Sequence, residues 1–102
     1  MTEYSIVVSE AALGDILDAQ EWYDDKREGL SVDFEFCLEG GYEDILNNPL
    51  GFQIKYKNIR VKYIYRFPYG IHYFVENNRI YVLGVFHTSK NPKKWIERTS
   101  SN

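Results

Sequence analysis

Residues 59–95 contain three runs rich in aromatic and β-branched residues, IRVKYIYRF, IHYFVE and RIYVLGVFHTS, which are separated only by PYG and NN. Such runs predict β-strands, and short links that contain glycine, proline or asparagine predict tight turns. Three consecutive antiparallel strands of this kind form a β-meander. Because side chains alternate between the two faces of a strand, the turns also predict which residues share a face.

The two turns predict how the strands pair. Asn77 and Asn78 suit a two-residue hairpin, because asparagine tolerates positive φ angles. This hairpin pairs Glu76 with Arg79, Val75 with Ile80, Tyr73 with Val82 and Ile71 with Gly84. A two-residue first turn would place Arg66 opposite Ile71, where their polarities clash. We therefore predict a three-residue loop of Pro68, Tyr69 and Gly70. This loop pairs Phe67 with Ile71, Arg66 with His72, Tyr65 with Tyr73, Tyr63 with Val75 and Lys62 with Glu76.

This register predicts one apolar and one mixed face. The apolar face holds Ile59, Val61, Tyr63, Tyr65, Phe67, Ile71, Tyr73, Val75, Ile80, Val82 and Phe86. The mixed face holds Arg60, Lys62, Ile64, Arg66, His72, Phe74, Glu76, Arg79, Tyr81, Leu83, Val85 and His87. The mixed face has an apolar centre and basic edges, which is typical of an interaction site. It suits an amphipathic segment with acidic residues; alternatively, the C-terminal tail or a second copy of the chain covers it.

The first half of the chain predicts a short strand over residues 4–8, followed by two helices. Ser9 can cap a helix over 10–27, with an apolar stripe of Leu13, Ile16, Leu17, Gln20 and Tyr23. Gly29 breaks it. Ser31 can cap a second helix that ends at residues 47–49, with a stripe of Phe34, Cys37, Leu38, Gly41, Tyr42, Ile45 and Leu46.

The remaining segments complete a single domain over residues 1–102. Residues 52–57 are predicted as a short strand or an extended approach, residues 92–98 as one helical turn with Trp95 folded back on the sheet, and residues 99–102 as a frayed tail. Gly41 lies on an apolar helix stripe, so we expect another backbone to approach it closely. The prediction is an α+β fold of order β-α-α-β-β-β, an antiparallel meander sheet backed on one face by an antiparallel α-hairpin.

Charge is divided unevenly between the two halves of the sequence. Residues 1–50 carry thirteen acidic and two basic side chains, whereas residues 51–102 carry two acidic and ten basic ones. The basic half could contact nucleic acid or an acidic protein surface, or the two halves could pair with each other across the fold.

Several classes of function find no support in the sequence. No apolar run is long enough to span a bilayer, and the N-terminus lacks a signal-peptide pattern, so we expect a cytoplasmic protein without membrane contact. The one cysteine and two histidines lack the spacing of metal ligands, so we predict no metal site. The sequence has no glycine-rich phosphate-binding loop, so we predict no cofactor. Cys37 lies on the apolar stripe and is interpreted as a core residue rather than a reactive thiol.

The order of these elements resembles that of a known family. The WY pair in the first helix, the NP that ends the second, and the segments RFPYGIHYFVE and VLGVFHTSKNPKKW closely resemble the RelE/ParE superfamily of type II toxin–antitoxin toxins. The resemblance covers nearly the whole chain. It implies a small bacterial toxin that is held inactive by a cognate antitoxin. The C-terminal segment of the antitoxin would wrap around the toxin, and the two proteins would form a hetero-oligomer.

The superfamily contains two kinds of toxin. RelE-like members cut mRNA in the ribosome, whereas ParE-like members inhibit DNA gyrase and have no established catalytic residues. The resemblance to ribonuclease members implies an arginine early in the middle strand, where this chain has Gly70, and a Tyr or His near the end of the last strand, where it has His87. Arg66 and His72, neighbours in the predicted register, could replace the missing cation.

The incomplete catalytic set favours a ParE-like toxin that acts by binding. One alternative is a RelE-like endoribonuclease in which Arg66, His72 and His87 supply charge and proton transfer. Another is an inactive relative that only binds an antitoxin-like partner. The surface predicted to bind the target or antitoxin comprises Arg60, Lys62, Ile64, Arg66, His72, Phe74, Tyr81, Leu83, Val85, His87, Lys90, Lys93, Lys94 and Trp95.

Overall fold

Five strands form one sheet, and a hairpin of two helices lies on one of its faces. The computed structural model describes residues 3–89 and 91–100. In chain order the elements are β1 (Ser5–Val8), α1 (Glu10–Lys26), α2 (Leu30–Asn47), β2 (Ile54–Tyr56), β3 (Ile59–Tyr63), β4 (Tyr69–Glu76), β5 (Arg79–His87) and α3 (Pro92–Ser100). The strand order is β1-β5-β4-β3-β2, with β1 parallel to β5 and the other neighbours antiparallel. The predicted α+β class is confirmed.

The ends of the two helices of the hairpin follow from local chemistry. The Ser9 side chain accepts a hydrogen bond from the Ala12 N–H at 3.0 Å, which confirms the predicted cap of α1. The second predicted cap is wrong, because α2 begins at Leu30 and its N-cap is Gly29, which makes no side-chain hydrogen bond. Gly29 has a φ of 89°, a left-handed conformation that glycine adopts without steric strain.

The buried row of α1 confirms the predicted stripe at Ile16 and Tyr23 and differs from it by one position elsewhere. Ala12, Ile16, Ala19 and Tyr23 are buried, whereas Leu13 and Leu17 are 49% and 63% exposed. The two alanines belong to the core cluster, and Leu13 and Leu17 lie outside the buried row. The predicted stripe of α2 is largely confirmed, since Phe34, Leu38, Gly41 and Ile45 are buried.

Gly41 allows the sheet to pack closely against α2. A Cβ atom at Gly41 would lie 2.8 Å from the Cδ1 atom of Ile71 and 3.2 Å from the Cγ2 atom of Ile64. The predicted close approach is therefore present, but side chains make it rather than another backbone.

The register between β3 and β4 differs from the prediction. The structure pairs Tyr63 with Gly70 and Lys62 with Ile71, so the connection spans residues 64–68 rather than 68–70. The pairing is displaced by an odd number of residues, and such a displacement moves every β3 side chain to the other face. Ile59 and Val61 consequently lie on the face opposite the hairpin, and Arg60, Lys62 and Ile64 lie on the hairpin side.

A β-bulge changes the second half of β5. The predicted pairs hold from Glu76–Arg79 to Tyr73–Val82, but His72 pairs with Gly84, and Leu83 is the extra residue. Beyond the bulge each side chain is on the face opposite to the one predicted. Phe86 therefore lies on the face opposite the hairpin, while Val85 and His87 lie on the hairpin side.

Candidate binding surfaces

The outer face, which we define as the sheet face opposite α1 and α2, is partly covered by α3. The Trp95 ring lies 4.7 Å from the His72 ring and 5.8 Å from the Tyr56 ring. The predicted return of Trp95 to the sheet is confirmed, although α3 has nine residues rather than one turn. α3 also includes Thr99 and Ser100, which the sequence predicts in the tail, and residues 101–102 lie outside the described residues. The alternative prediction that the C-terminal part of the chain covers this face is therefore correct around His72 and Tyr56.

His72 is the most deeply buried polar residue of the outer face. Only 1% of it is exposed, and its Nδ1 atom lies 3.0 Å from the Tyr56 hydroxyl. Phe86 contributes a third aromatic neighbour at 4.8 Å. Burial, and secondarily the positive charge of Arg98, lower the pKa of His72 to about 4. His72 is therefore a neutral, structural residue at neutral pH rather than an accessible binding residue.

The buried His72 predicts a pH dependence of stability. In the unfolded chain this histidine takes up a proton as the pH falls below its ordinary pKa of 6.5, whereas in the folded protein it does so only near pH 4. The neutral, buried His72 therefore makes its full contribution to the free energy of unfolding above pH 6.5. This contribution is lost as the pH falls from 6.5 towards about 4, by no more than about 1.4 kcal/mol per pH unit. Unfolding by urea at pH 4.5–7.5 should show this slope in the wild type and a shallower one in His72→Gln. Equal slopes in the two proteins would contradict the assignment.

Two residues from opposite ends of the chain hold α3 in place. Arg98 Nη1 and Nη2 donate to Asp15 Oδ2 and Oδ1 at 2.9 and 3.1 Å, and Nη1 also donates to the Leu83 carbonyl at 2.9 Å. The same carboxylate accepts a hydrogen bond from the Val85 N–H at 3.0 Å. Asp15 thus joins α1, β5 and α3.

The uncovered part of the outer face is smaller than predicted. Phe74 and Tyr81 are half-buried and stack with ring centroids 5.1 Å apart, and Val7 on the adjoining strand is 40% exposed. The sequence predicts that Leu83 and Val85 extend this apolar centre, but both are buried. Val7, Phe74 and Tyr81 form a partly exposed apolar patch, which we call the outer patch.

The predicted basic border of the outer face is wrong at three positions. Arg60 donates to the Phe52 carbonyl, Lys62 pairs with Asp44 of α2, and Arg66 pairs with Asp33 of α2 at 3.0 Å. Ile64, which the sequence predicts beside them, is buried in the core. Lys93 and Lys94 are exposed on α3, as expected of binding residues, while Lys90 lies outside the described residues.

The ion pairs favour one of the two interpretations of the charge asymmetry. Each of the three pairs between described residues joins a base of the second half to an acid of the first half: Lys62–Asp44, Arg66–Asp33 and Arg98–Asp15. The halves therefore do pair with each other, although three pairs leave many acidic side chains uncompensated.

His87 lies in a cleft between α1 and the end of β5, on the hairpin side of the sheet. The cleft has a volume of about 680 Å³, and its lining includes Asp18, Trp22 and Tyr69. The Ser89 N–H donates to His87 Nδ1 at 3.1 Å, so the neutral ring carries its proton on Nε2. His87 thus offers one hydrogen-bond donor to the cleft.

The structure does not bring the three candidate catalytic residues together. His72 is buried on the outer face, His87 lies on the hairpin side, and Arg66 is held by Asp33 in the β3–β4 connection. Among the described residues, no three His, Cys, Asp or Glu side chains are close enough to hold a metal ion. No helix in the described part of the chain has the length and apolarity to cross a membrane.

Sequence reasoning missed the residues that organise this side of the molecule. Asp15 and Arg98 are separated by 83 positions, and nothing in their local sequence indicates that they pair. Tyr56 falls in a predicted short strand, with no signal of its contact with His72. A local signal existed only for the bulge, because an isolated glycine such as Gly84 inside a strand pattern is typical of one.

Comparison with known proteins supports the fold. No family model matches the sequence, and no curated protein is significantly similar to it. Among solved structures, the chain is similar to a chain of the chromosomal ParDE TA (toxin–antitoxin) system from P. aeruginosa, with a TM-score of 0.76 and 12% sequence identity. The match covers 85% of this chain and 98% of the other. The protein therefore has the fold of that chain, and the RelE/ParE-like α+β fold predicted from the sequence is confirmed.

Proposed function

We propose that this protein is the toxin of a type II toxin–antitoxin module and that it acts by binding its target rather than by cutting RNA. The observation that supports the toxin role is the fold, which matches 98% of a chain from a ParDE system with a TM-score of 0.76. The separation of Arg66, His72 and His87 supports action by binding, because general acid–base catalysis needs its groups within hydrogen-bond reach of one substrate.

DNA gyrase, which the resemblance of the sequence to ParE-like toxins implies, is the proposed target, and a cognate antitoxin is the proposed inhibitor. The outer patch and the neighbouring α3 are the proposed contact surface. Phe74 and Tyr81 offer apolar area, and Lys93 and Lys94 offer exposed positive charge. These four predicted binding residues have the chemistry for binding an acidic, partly apolar surface.

Two assays run side by side test the proposal. We expect purified protein to inhibit supercoiling by gyrase while mRNA in a cell-free translation extract stays intact. A Lys93→Glu/Lys94→Glu variant should lose at least about tenfold in inhibition, because both charges are reversed at the contact surface. His87→Ala should inhibit as the wild type does.

The rival functions give different results. Ribosome-dependent cleavage of mRNA that disappears in His87→Ala would establish the endoribonuclease alternative and overturn the proposal. Expression without growth arrest, together with intact supercoiling and intact mRNA, would identify an inactive relative that only binds a partner.

A further inference from the structure

A second surface of the molecule is aromatic, grooved and open to solvent. It lies between α2 and residues 62–65, whereas the cleft at His87 lies beside α1, and it has a volume of about 630 Å³. Phe36 and Tyr65 line it and are 78% and 82% exposed, the highest values among the large hydrophobic residues described. Ile64 and Gly41 lie at its buried side. We call this surface the α2 groove.

The connection that forms one wall of the groove is tied to α2. Arg66 has a φ of 71°, which is unusual for a residue other than glycine, and its ion pair with Asp33 ties the β3–β4 connection to the first turn of α2. The guanidinium also lies 5.2 Å from the centre of the Phe67 ring in the core. Tyr65 precedes Arg66 in this tied connection.

Gly40 has no explanation inside the molecule. A Cβ atom at Gly41 would meet two isoleucine side chains, but a Cβ atom at Gly40 would have no atom within 4 Å. A glycine inside a helix destabilises it relative to alanine, so packing within the chain does not require the glycine at this position. Gly40 lines the groove one turn after Phe36, where its missing side chain would let a bound chain reach the helix backbone.

The charge beside the groove identifies the kind of partner. Glu35, Glu39 and Glu43 repeat at intervals of four along α2 and are all exposed, and Glu43 lines the groove. None of them forms an ion pair with another described residue, whereas Asp44, which also lines the groove, is paired with Lys62. A row of uncompensated carboxylates next to exposed aromatic rings favours a partner with apolar and basic side chains.

We propose that the α2 groove binds a segment of a partner protein in which bulky apolar side chains are flanked by lysine or arginine. This partner has the opposite charge to the one expected from the sequence for the outer face. The inference does not depend on the toxin assignment, because it follows from the shape and charge of the groove alone.

Selection from a random 16-residue peptide library tests the proposal. Clones would be selected on the immobilised full chain and depleted on the Phe36→Ala/Tyr65→Ala variant. We expect the surviving peptides to be net basic with at least two bulky apolar residues. A synthetic copy of an enriched peptide should bind the wild type and lose at least about tenfold in affinity to Gly40→Leu, which fills the groove.

Two glycines of the chain give a matched control. A Cβ atom at Gly14 in α1 would also have no atom within 4 Å, and Gly14 does not line the groove. Gly14→Ala and Gly40→Ala should each raise the melting temperature, by about 4–8 °C at most. Only Gly40→Ala should weaken the peptide, and Glu39→Lys should weaken it without changing the melting temperature by more than about 2 °C.

Three outcomes would overturn the proposal. The first is that no clone survives depletion, and the second is that the enriched peptides are acidic or bind the groove variants as tightly as the wild type. The third is that the wild-type chain self-associates in sedimentation experiments and Tyr65→Ala abolishes this, which would make a second copy the occupant. Because none of these readouts involves gyrase or growth arrest, failure here is separable from failure of the toxin proposal.

Discussion

Replacing Phe34 by alanine is expected to lower the free energy of unfolding by about 3–5 kcal/mol. Phe34 is fully buried, and its ring lies 5.5 Å from Tyr23, 5.4 Å from Phe67 and 5.2 Å from Tyr69. These rings come from α1, α2 and the β3–β4 connection with the start of β4. Removing the central ring therefore leaves a cavity where the hairpin meets the sheet, as well as losing the transfer free energy of the side chain.

Phe36 provides the control from the same turn of the same helix. It is 78% exposed, so Phe36→Ala should change the free energy of unfolding by less than about 0.5 kcal/mol. Urea unfolding followed by circular dichroism measures both values. A loss below about 1 kcal/mol for Phe34→Ala, or equal losses for the two variants, would show that the hairpin does not pack on the sheet through this aromatic cluster.

The packing of Phe34 belongs to the part of the fold that the sequence predicts well. Helical spacing places Phe34, Leu38 and Ile45 on one row, and the structure buries all three. The Asn77–Asn78 turn is also correct, and Asn77 has the positive φ, 58°, that this residue pair tolerates. In both cases the structure is set by residues within a few positions of each other, which is the range over which patterns in a sequence are informative.

The β3–β4 connection shows why the outer face is predicted poorly. Pro68, Tyr69 and Gly70 have the composition of a turn, but Tyr69 and Gly70 belong to β4, and the left-handed residue of the connection is Arg66. Arginine is not a residue that turn chemistry favours at positive φ, and here its side chain pairs with Asp33 of α2. Such a long-range contact leaves no local pattern, and an error of an odd number of residues then reverses the faces of a whole strand.

Replacing Asp15 by alanine is expected to lower the free energy of unfolding by about 2–4 kcal/mol and to detach α3. The Asp15 side chain is 12% exposed, and its loss would leave the Arg98 guanidinium and the Val85 N–H without this acceptor. Hydrogen exchange should then accelerate over α3 more than over α2. Asp18, one turn further along α1, is exposed, so Asp18→Ala should change stability by less than about 0.5 kcal/mol.

A double-mutant cycle separates the ion pair from the other contacts of Asp15. Asp15→Asn and Arg98→Met combined should destabilise less than the sum of the single substitutions, with a coupling of about 1–3 kcal/mol, because the second substitution removes an interaction that the first has already broken. Additive losses would show that the two side chains act independently. Since α3 displays Lys93 and Lys94, loss of this ion pair should also weaken gyrase inhibition while leaving peptide binding at the α2 groove intact. That pattern would show that binding through the outer patch and α3 depends on the docking of α3, whereas binding at the α2 groove does not.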